Sequence, residues 1–293
     1  TTTAESVLES NKISGDVIAL TGDSGIMMKV FLMAAFGGQL GDMVNLLCMP
    51  CTSAANCGVS SHECFRAFWY SLPPHMIDVM QEMGRVDRGH NAEPGEHRYE
   101  VFLSFNIVMN LFLCIYQNKI EAIRNNELEQ VFTVLRFMVL PTMCYHSFIE
   151  QYFERLDNSG NPSHVNIESC GDQCSYCLLQ HLDFTGQFDK EALIDVLTCN
   201  IFWDGKVTID GFKKGLTQHA LQIYGGCSER IKSVKPQHIH ALALQLFAAH
   251  FVELVIPDES KLGSAKLNKS DMYIRLSRDE LACHFFIRDN AQW

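Results

Sequence analysis

The octapeptide CGDQCSYC, Cys170 to Cys177, constrains the fold more than any other stretch of this chain. It puts three thiols within eight residues of a loop otherwise rich in Asn, Ser, Gly and Asp. Free cysteines are normally buried, and a loop this polar offers them no apolar shelter. Thiols that converge in such a loop are better explained by a shared metal ion. Zinc takes four soft ligands in a tetrahedron, commonly a close cluster plus one distant residue. Cys144, in the helical stretch MCYHSFIEQYF, is the fourth candidate beside Cys170, Cys174 and Cys177, and His146 and His164 compete for that place. Four thiolates leave no open position for water, so the expected role is structural. The bland alternative is four unrelated buried thiols.

The remaining cysteines do not repeat the signal. The chain has 12 cysteines in 293 residues but neither the small size nor the leader pattern of a disulfide scaffold. Reduced thiols are expected, and with them a reducing compartment: nuclear, or cytoplasmic in a bacterium. Cys48 and Cys51 lie three apart across Pro50 on an apolar strand, where side chains three apart face opposite ways. Without a helix starting behind Cys48, that pair has no redox architecture.

Charge divides the chain. The formal net charge of −11 argues against a nonspecific nucleic-acid binder. From residue 200 onward, however, 12 Lys and Arg meet 10 Asp and Glu, a net of +2, which leaves −13 for residues 1–199. A phosphate-contacting surface is therefore expected in the last third. No membrane partner is expected: the longest apolar run, Val101–Tyr116, is interrupted by Ser104, Asn106 and Asn110 and falls short of the ~20 residues a span needs. It reads as a buried strand followed by a core helix.

Three regions follow from the periodicity. Residues 1–105 alternate short apolar strands (17–20, 44–49, 64–70 and 99–105) with helical stretches (27–36 and 75–85), the pattern of a parallel α/β sheet. Residues 106–180 are helical, with apolar residues at steps of three and four such as Leu128, Val131, Phe132, Leu135 and Val139. Residues 181–293 contain three short helical stretches, then FVELVI (251–256), a polar connection and MYIRL (272–276), which suggests a winged helix-turn-helix.

Some signals dissolve on inspection. GDSG (22–25) lacks the Gly-Pro that follows it in serine proteases and sits in an α/β context. RDELACH (278–284) has Ala282 where a motor motif carries histidine. His238 and His240 lie in an apolar helical run and read as satisfied helix histidines, not ligands. The phosphate loop G-x-x-x-x-G-K-[ST] is absent from the sequence, and no acidic pair ends an apolar strand to hold magnesium.

Against that background, TSAANCGVSSHECFRAFWYSLPPHMIDVMQEMGRVDRG (52–89) resembles the second motor domain of RecQ-type DNA helicases, with LTGDSGIMMKVFLMAAF (20–36) similar to the strand and helix before it. CYHSFIEQYFE with CGDQCSYC resembles the family's zinc subdomain, and the last region its winged helix. The order of the features and their extent, nearly the whole chain, carry the resemblance.

The resemblance implies a RecA-like parallel-sheet domain (1–105), a helical zinc-binding subdomain (106–180) and a winged-helix domain (181–293). It implies structural zinc on Cys144, Cys170, Cys174 and Cys177. Gln81, Arg85 and Arg88 would act on the γ-phosphate of ATP as the arginine motif, where such fingers are worth ~10³–10⁵ in rate. Gly58, Ser60 and Gly84 would line the nucleotide side. Thr52 would grip a DNA phosphate, and Lys261, Lys266 and Lys269 of the hairpin tip would meet others. ATP and Mg²⁺ would bind only with a first motor domain, which this sequence lacks by truncation or loss, so the chain alone should not hydrolyse ATP. Expected partners are single-stranded or junction-containing DNA, ATP, and a first motor domain or repair proteins. Ser60 replaces the family's Asp or Asn, Asp87 its glycine between the arginines, and the hairpin tip has no aromatic residue. The alternative implied by these departures is a non-enzymatic zinc-containing DNA-binding or scaffolding module. An unrelated acidic zinc adaptor for proteins is a third reading.

Overall fold

Ser104 ends one element and starts the next. Its hydroxyl accepts the Ile107 N–H at 3.3 Å, an N-cap that begins a helix at Phe105 and stops the preceding strand at Val101. The strand expected over 99–105 is therefore shorter, because an intrahelical cap competes for Ser104 and Phe105. The computed structural model describes residues 16–17, 26–36, 46–48, 66–86, 98–140, 143–156, 170–171, 174–180, 190–202, 205–223 and 235–277. They form a mixed α/β fold dominated by helix, and the chain divides into two units.

The first unit takes residues 1–69 and 76–101. Strand β1 (Asp16–Val17) pairs in parallel with β2 (Leu46–Cys48), with helix α1 (Ile26–Phe36) between them in sequence. Strand β3 (Arg66–Trp69) pairs in parallel with β4 (Arg98–Val101), with α2 (Met76–Met83) between them. Parallel partners cannot be joined by a tight turn, so the chain must cross over, and in both cases a helix lies on the crossover. Helix α2 buries Met76 and Val79 and carries Asp78 in its first turn, where the helix dipole favours a negative charge.

The second unit takes residues 70–75 and 102–293. Helix α3 (Phe105–Tyr116) buries Phe105, Val108, Met109, Phe112 and Ile115, the spacing of a single helical face. Helices α4 (Glu121–Val139), α5 (Tyr145–Leu156), α6 (Ser175–Gln180) and α7 (Lys190–Val196) follow, α7 running into a π-helical turn at Leu197–Ile201. Then come β5 (Val207–Thr208), α8 (Ile209–Ile223), α9 (Pro236–Ala248), β6 (Val252–Val255) and β7 (Tyr273–Leu276). The three strands form a separate antiparallel sheet in the order β5-β7-β6.

Aromatic side chains knit this unit together. Phe212 of α8 lies 6.1 Å from Phe105 of α3, 6.4 Å from Phe247 of α9 and 5.9 Å from Phe202, centroid to centroid. Phe105, Phe112, Phe212 and Phe247 are all essentially inaccessible to solvent. Helix α9 buries every residue from Leu242 to Ala248, which makes it the central element of the core. Among the described residues no helix is long and apolar enough to cross a membrane.

The connection between β6 and β7 does not hang free. The Gly263 N–H donates to the Tyr116 carbonyl at 2.9 Å, and the Gln117 side-chain amide donates to the Leu267 carbonyl at 2.9 Å. Leu267 itself is fully buried. The loop is thus folded against the turn between α3 and α4.

Candidate metal centre

Two short helix starts and one tight turn bring the cysteine cluster together. Cys144 stands immediately before α5 and its carbonyl accepts the Phe148 N–H at 2.9 Å, so it acts as the first residue of that helix turn. Cys174 stands in the same place before α6, and its Sγ accepts the Cys177 N–H at 3.4 Å. A thiolate at a helix start is favoured by the amides and dipole it faces. Cys170 is followed by Gly171 at φ +70°, a left-handed conformation that glycine adopts without strain, which turns the chain back towards Cys174.

The ligand atoms of Cys144, His146, Cys170 and Cys174 all lie within 4.8 Å of one another. Cys144 Sγ is 3.8 Å from Cys174 Sγ and 3.9 Å from His146 Nδ1. The first distance is far beyond a disulfide, about 2.05 Å. It equals the edge of a tetrahedron with metal–sulfur bonds of about 2.3 Å, roughly 3.8 Å. Cys177 is fully buried in the same cluster, against Tyr145 and Tyr176.

The clustered thiols shift one another's titration. Burial pushes the Cys144 thiol up, but the amides of Ser147 and Cys170, the Cys170 thiol and His146 together hold it at about 5. Burial raises Cys170 well above the ordinary thiol range, and the thiols of Cys174, Cys144 and Cys177 raise it further. Burial raises Cys174 as well. One thiolate crowded by protonated thiols is a costly arrangement in isolation; a divalent ion at its centre displaces the protons and compensates the charge. The donor set and spacing therefore fit zinc.

The other residues expected from the sequence are not gathered here. Gln81 is exposed on α2, and Gly84 and Arg85 form the turn after it. The Arg85 guanidinium is largely covered, 11% exposed, and its Nε lies 3.2 Å from a Glu82 carboxylate oxygen. Lys261 pairs with Asp271 at 2.5 Å, and Lys269 reaches the Asn106 carbonyl at 3.5 Å. Lys266 is exposed. Thr52, Gly58, Ser60, Arg88 and His164 lie outside the described residues, as do Cys51 and Asp87.

Two histidines serve the fold: His240, which the sequence marks as a satisfied helix histidine, and His250, which no sequence signal singled out. His240 Nδ1 accepts the Phe105 N–H at 3.3 Å, so it caps α3 from α9, and His250 Nε2 accepts from the Arg136 guanidinium. Only the apolar neighbours of His240 were visible in one dimension; the Phe105 amide it serves is 135 residues away. No protein-family model matches this chain, and no curated protein matches it significantly in sequence.

Proposed function

We propose that this chain is the C-terminal part of a RecQ-like ATP-dependent 3′-to-5′ DNA helicase, comprising a second RecA-like motor domain, a zinc-stabilised helical subdomain and a winged-helix domain. One observation carries the reading more than any other. The cysteine cluster is followed by helix, strand, two helices and an antiparallel hairpin, with the isolated strand β5 on the outer side of β7. That connectivity resembles the one a winged helix-turn-helix uses, although α9, the helix in the recognition position, is buried from Leu242 to Ala248 and leaves only its first residues exposed. The two parallel strand pairs with intervening helices are compatible with a RecA-like domain.

In this reading the zinc fixes the fold around residues 144–177 and does no chemistry on DNA. The basic balance after residue 200 would attract phosphates, and of the three hairpin-loop lysines Lys266 is the exposed one. On this reading the phosphate loop and magnesium ligands would have to be supplied by another motor domain, since the motif is absent from these residues. Arg85 would reach ATP only after leaving Glu82.

That ion pair favours a second reading, a zinc-containing DNA-binding or scaffolding module without enzymatic activity. The largely covered Arg85–Glu82 pair is what a structural arginine at a helix end looks like. The β6–β7 loop points the same way, since a loop folded on α3 is poorly placed to wedge a duplex apart.

Anisotropy of labelled single-stranded and forked DNA across a salt series, on the purified chain with its zinc measured, tests both. An affinity that falls steeply with salt, the counterion-release signature, supports a DNA-engaging chain. Absence of salt-dependent binding sinks both. Stimulated ATP hydrolysis on adding a first motor domain, lost in Arg85→Ala, then selects the helicase.

A further inference from the structure

The geometry points to a Cys3His metal centre in which His146, rather than Cys177, occupies the fourth corner. This rests on the reading that the cluster holds zinc, and it departs from the four-cysteine set that the resemblance implies. Five donors surround one position that takes four. Cys144, Cys170 and Cys174 are common to any choice, so the question is which of the remaining two closes the tetrahedron.

Three observations favour the histidine. A metal requires every pair of its ligand atoms to be close, and the mutually close set is Cys144, His146, Cys170 and Cys174. His146 lies on the first turn of α5, two residues beyond Cys144, and presents Nδ1 at 3.9 Å from the Cys144 sulfur. A tetrahedral edge between a zinc-bound sulfur and a zinc-bound nitrogen is about 3.6 Å, from bonds of about 2.3 and 2.05 Å. A few tenths of an ångström of closure suffices.

Cys177 also reaches the cluster, its thiol meeting those of Cys170 and Cys174, but it stands outside the mutually close set. Its backbone N–H donates to Cys174 Sγ at 3.4 Å. Its side chain is 1% exposed and packs in the cluster that Tyr145 and Tyr176 border. A free thiol is a satisfactory small apolar group in such a place. His146 is exposed, on the solvent side of the cluster.

Charge favours the same assignment. Zinc with four thiolates carries −2, whereas three thiolates and a neutral imidazole leave −1. The difference matters in a half-buried site on a chain with a net charge of −11. The consequence is a centre closed on its outer face by one imidazole, through which solvent and competing chelators approach, with a fifth donor, Cys177, next to it.

X-ray absorption at the zinc edge of the full chain decides the question without a mutation. The expected first shell is three sulfurs at about 2.3 Å and one nitrogen at about 2.0–2.1 Å. One zinc per chain with four sulfurs overturns the ligand assignment while leaving the zinc reading intact. A chain without zinc overturns both. Cobalt substitution supplies the independent check. Cys177→Ser should keep the full sulfur-to-cobalt charge-transfer absorbance, and His146→Ala should shift the ligand-field bands. Loss of about a quarter of that absorbance in Cys177→Ser, with His146→Ala unchanged, overturns the proposal.

Discussion

Gly263 sits at φ +71° with its N–H on the Tyr116 carbonyl at 2.9 Å, so the β6–β7 loop is bonded to the last turn of α3. A Cβ added there would lie 2.9 Å from Lys119 Cα, a backbone atom that cannot give way cheaply. Two penalties act together, the left-handed conformation and the clash, each on the order of 1–3 kcal/mol. Gly263→Val should lower the unfolding free energy by about 2–4 kcal/mol, read from urea denaturation. A loss below 0.5 kcal/mol would mean that the loop is not held against α3 in solution.

The three lysines of that loop should separate in a binding experiment. Lys261 is committed to Asp271 and Lys269 to the Asn106 carbonyl, whereas Lys266 is exposed. Replacing Lys266 with alanine should weaken DNA binding across all sequences and reduce the salt slope by about one counterion, with stability unchanged. Lys261→Ala should alter the loop instead, since Asp271 also accepts the Asn268 N–H at 3.0 Å and would lose its cation. Equal effects of the two substitutions on DNA binding would refute the distinction.

Much of this fold was legible in one dimension because its causes are local. The three- and four-residue spacing of Leu128, Val131, Phe132, Leu135 and Val139 anticipates α4, and the apolar runs at 251–256 and 272–276 contain β6 and β7. The cysteine loop announces its own convergence. What the sequence hid is contact at a distance. Nothing near Gly263 says that its partner is Tyr116, and nothing near His240 says that it caps α3. The position of Arg85 was readable, but its ion pair with Glu82 was not anticipated, although a glutamate three residues before it is a sequence signal. From the sequence, Cys144, His146 and His164 compete for the fourth place beside the loop thiols, because spacing alone permits each of them.

Metal removal should melt a part of the chain, not the whole. Helix α6 has six residues, far too few to persist alone, and the described part of the cluster consists of its thiols with Tyr145 and Tyr176 beside them. The core built from Phe105, Phe212 and Phe247 does not involve the metal ligands. Dialysis against a chelator should reduce the helical circular dichroism modestly and add an early, low-temperature step to the melt, while the main transition survives. In Phe212→Ala the reverse is expected: about 3–5 kcal/mol lost from the main transition, with zinc still bound. A single transition that disappears on chelation would contradict this division.

Acid should weaken the second unit through two imidazoles that both act as acceptors. His240 is shifted down by burial and by the Lys213 ammonium, and His250 by burial and by Arg136, with Glu253 opposing. Each accepts a hydrogen bond that protonation would abolish, from Phe105 N–H and from the Arg136 guanidinium. A histidine whose folded pKa lies below its unfolded value binds protons more readily when unfolded. The unfolded value is about 6.5. The stabilisation is therefore fully present above about pH 6.5 and is lost as the pH falls from there through the lower folded values. His240→Asn keeps an acceptor for the Phe105 amide but cannot titrate. At equal zinc content, its urea midpoint should fall less between pH 7 and pH 5.5 than that of the parent chain. An unchanged slope would show that His240 does not carry its share of the acid sensitivity, whatever the metal ligands contribute.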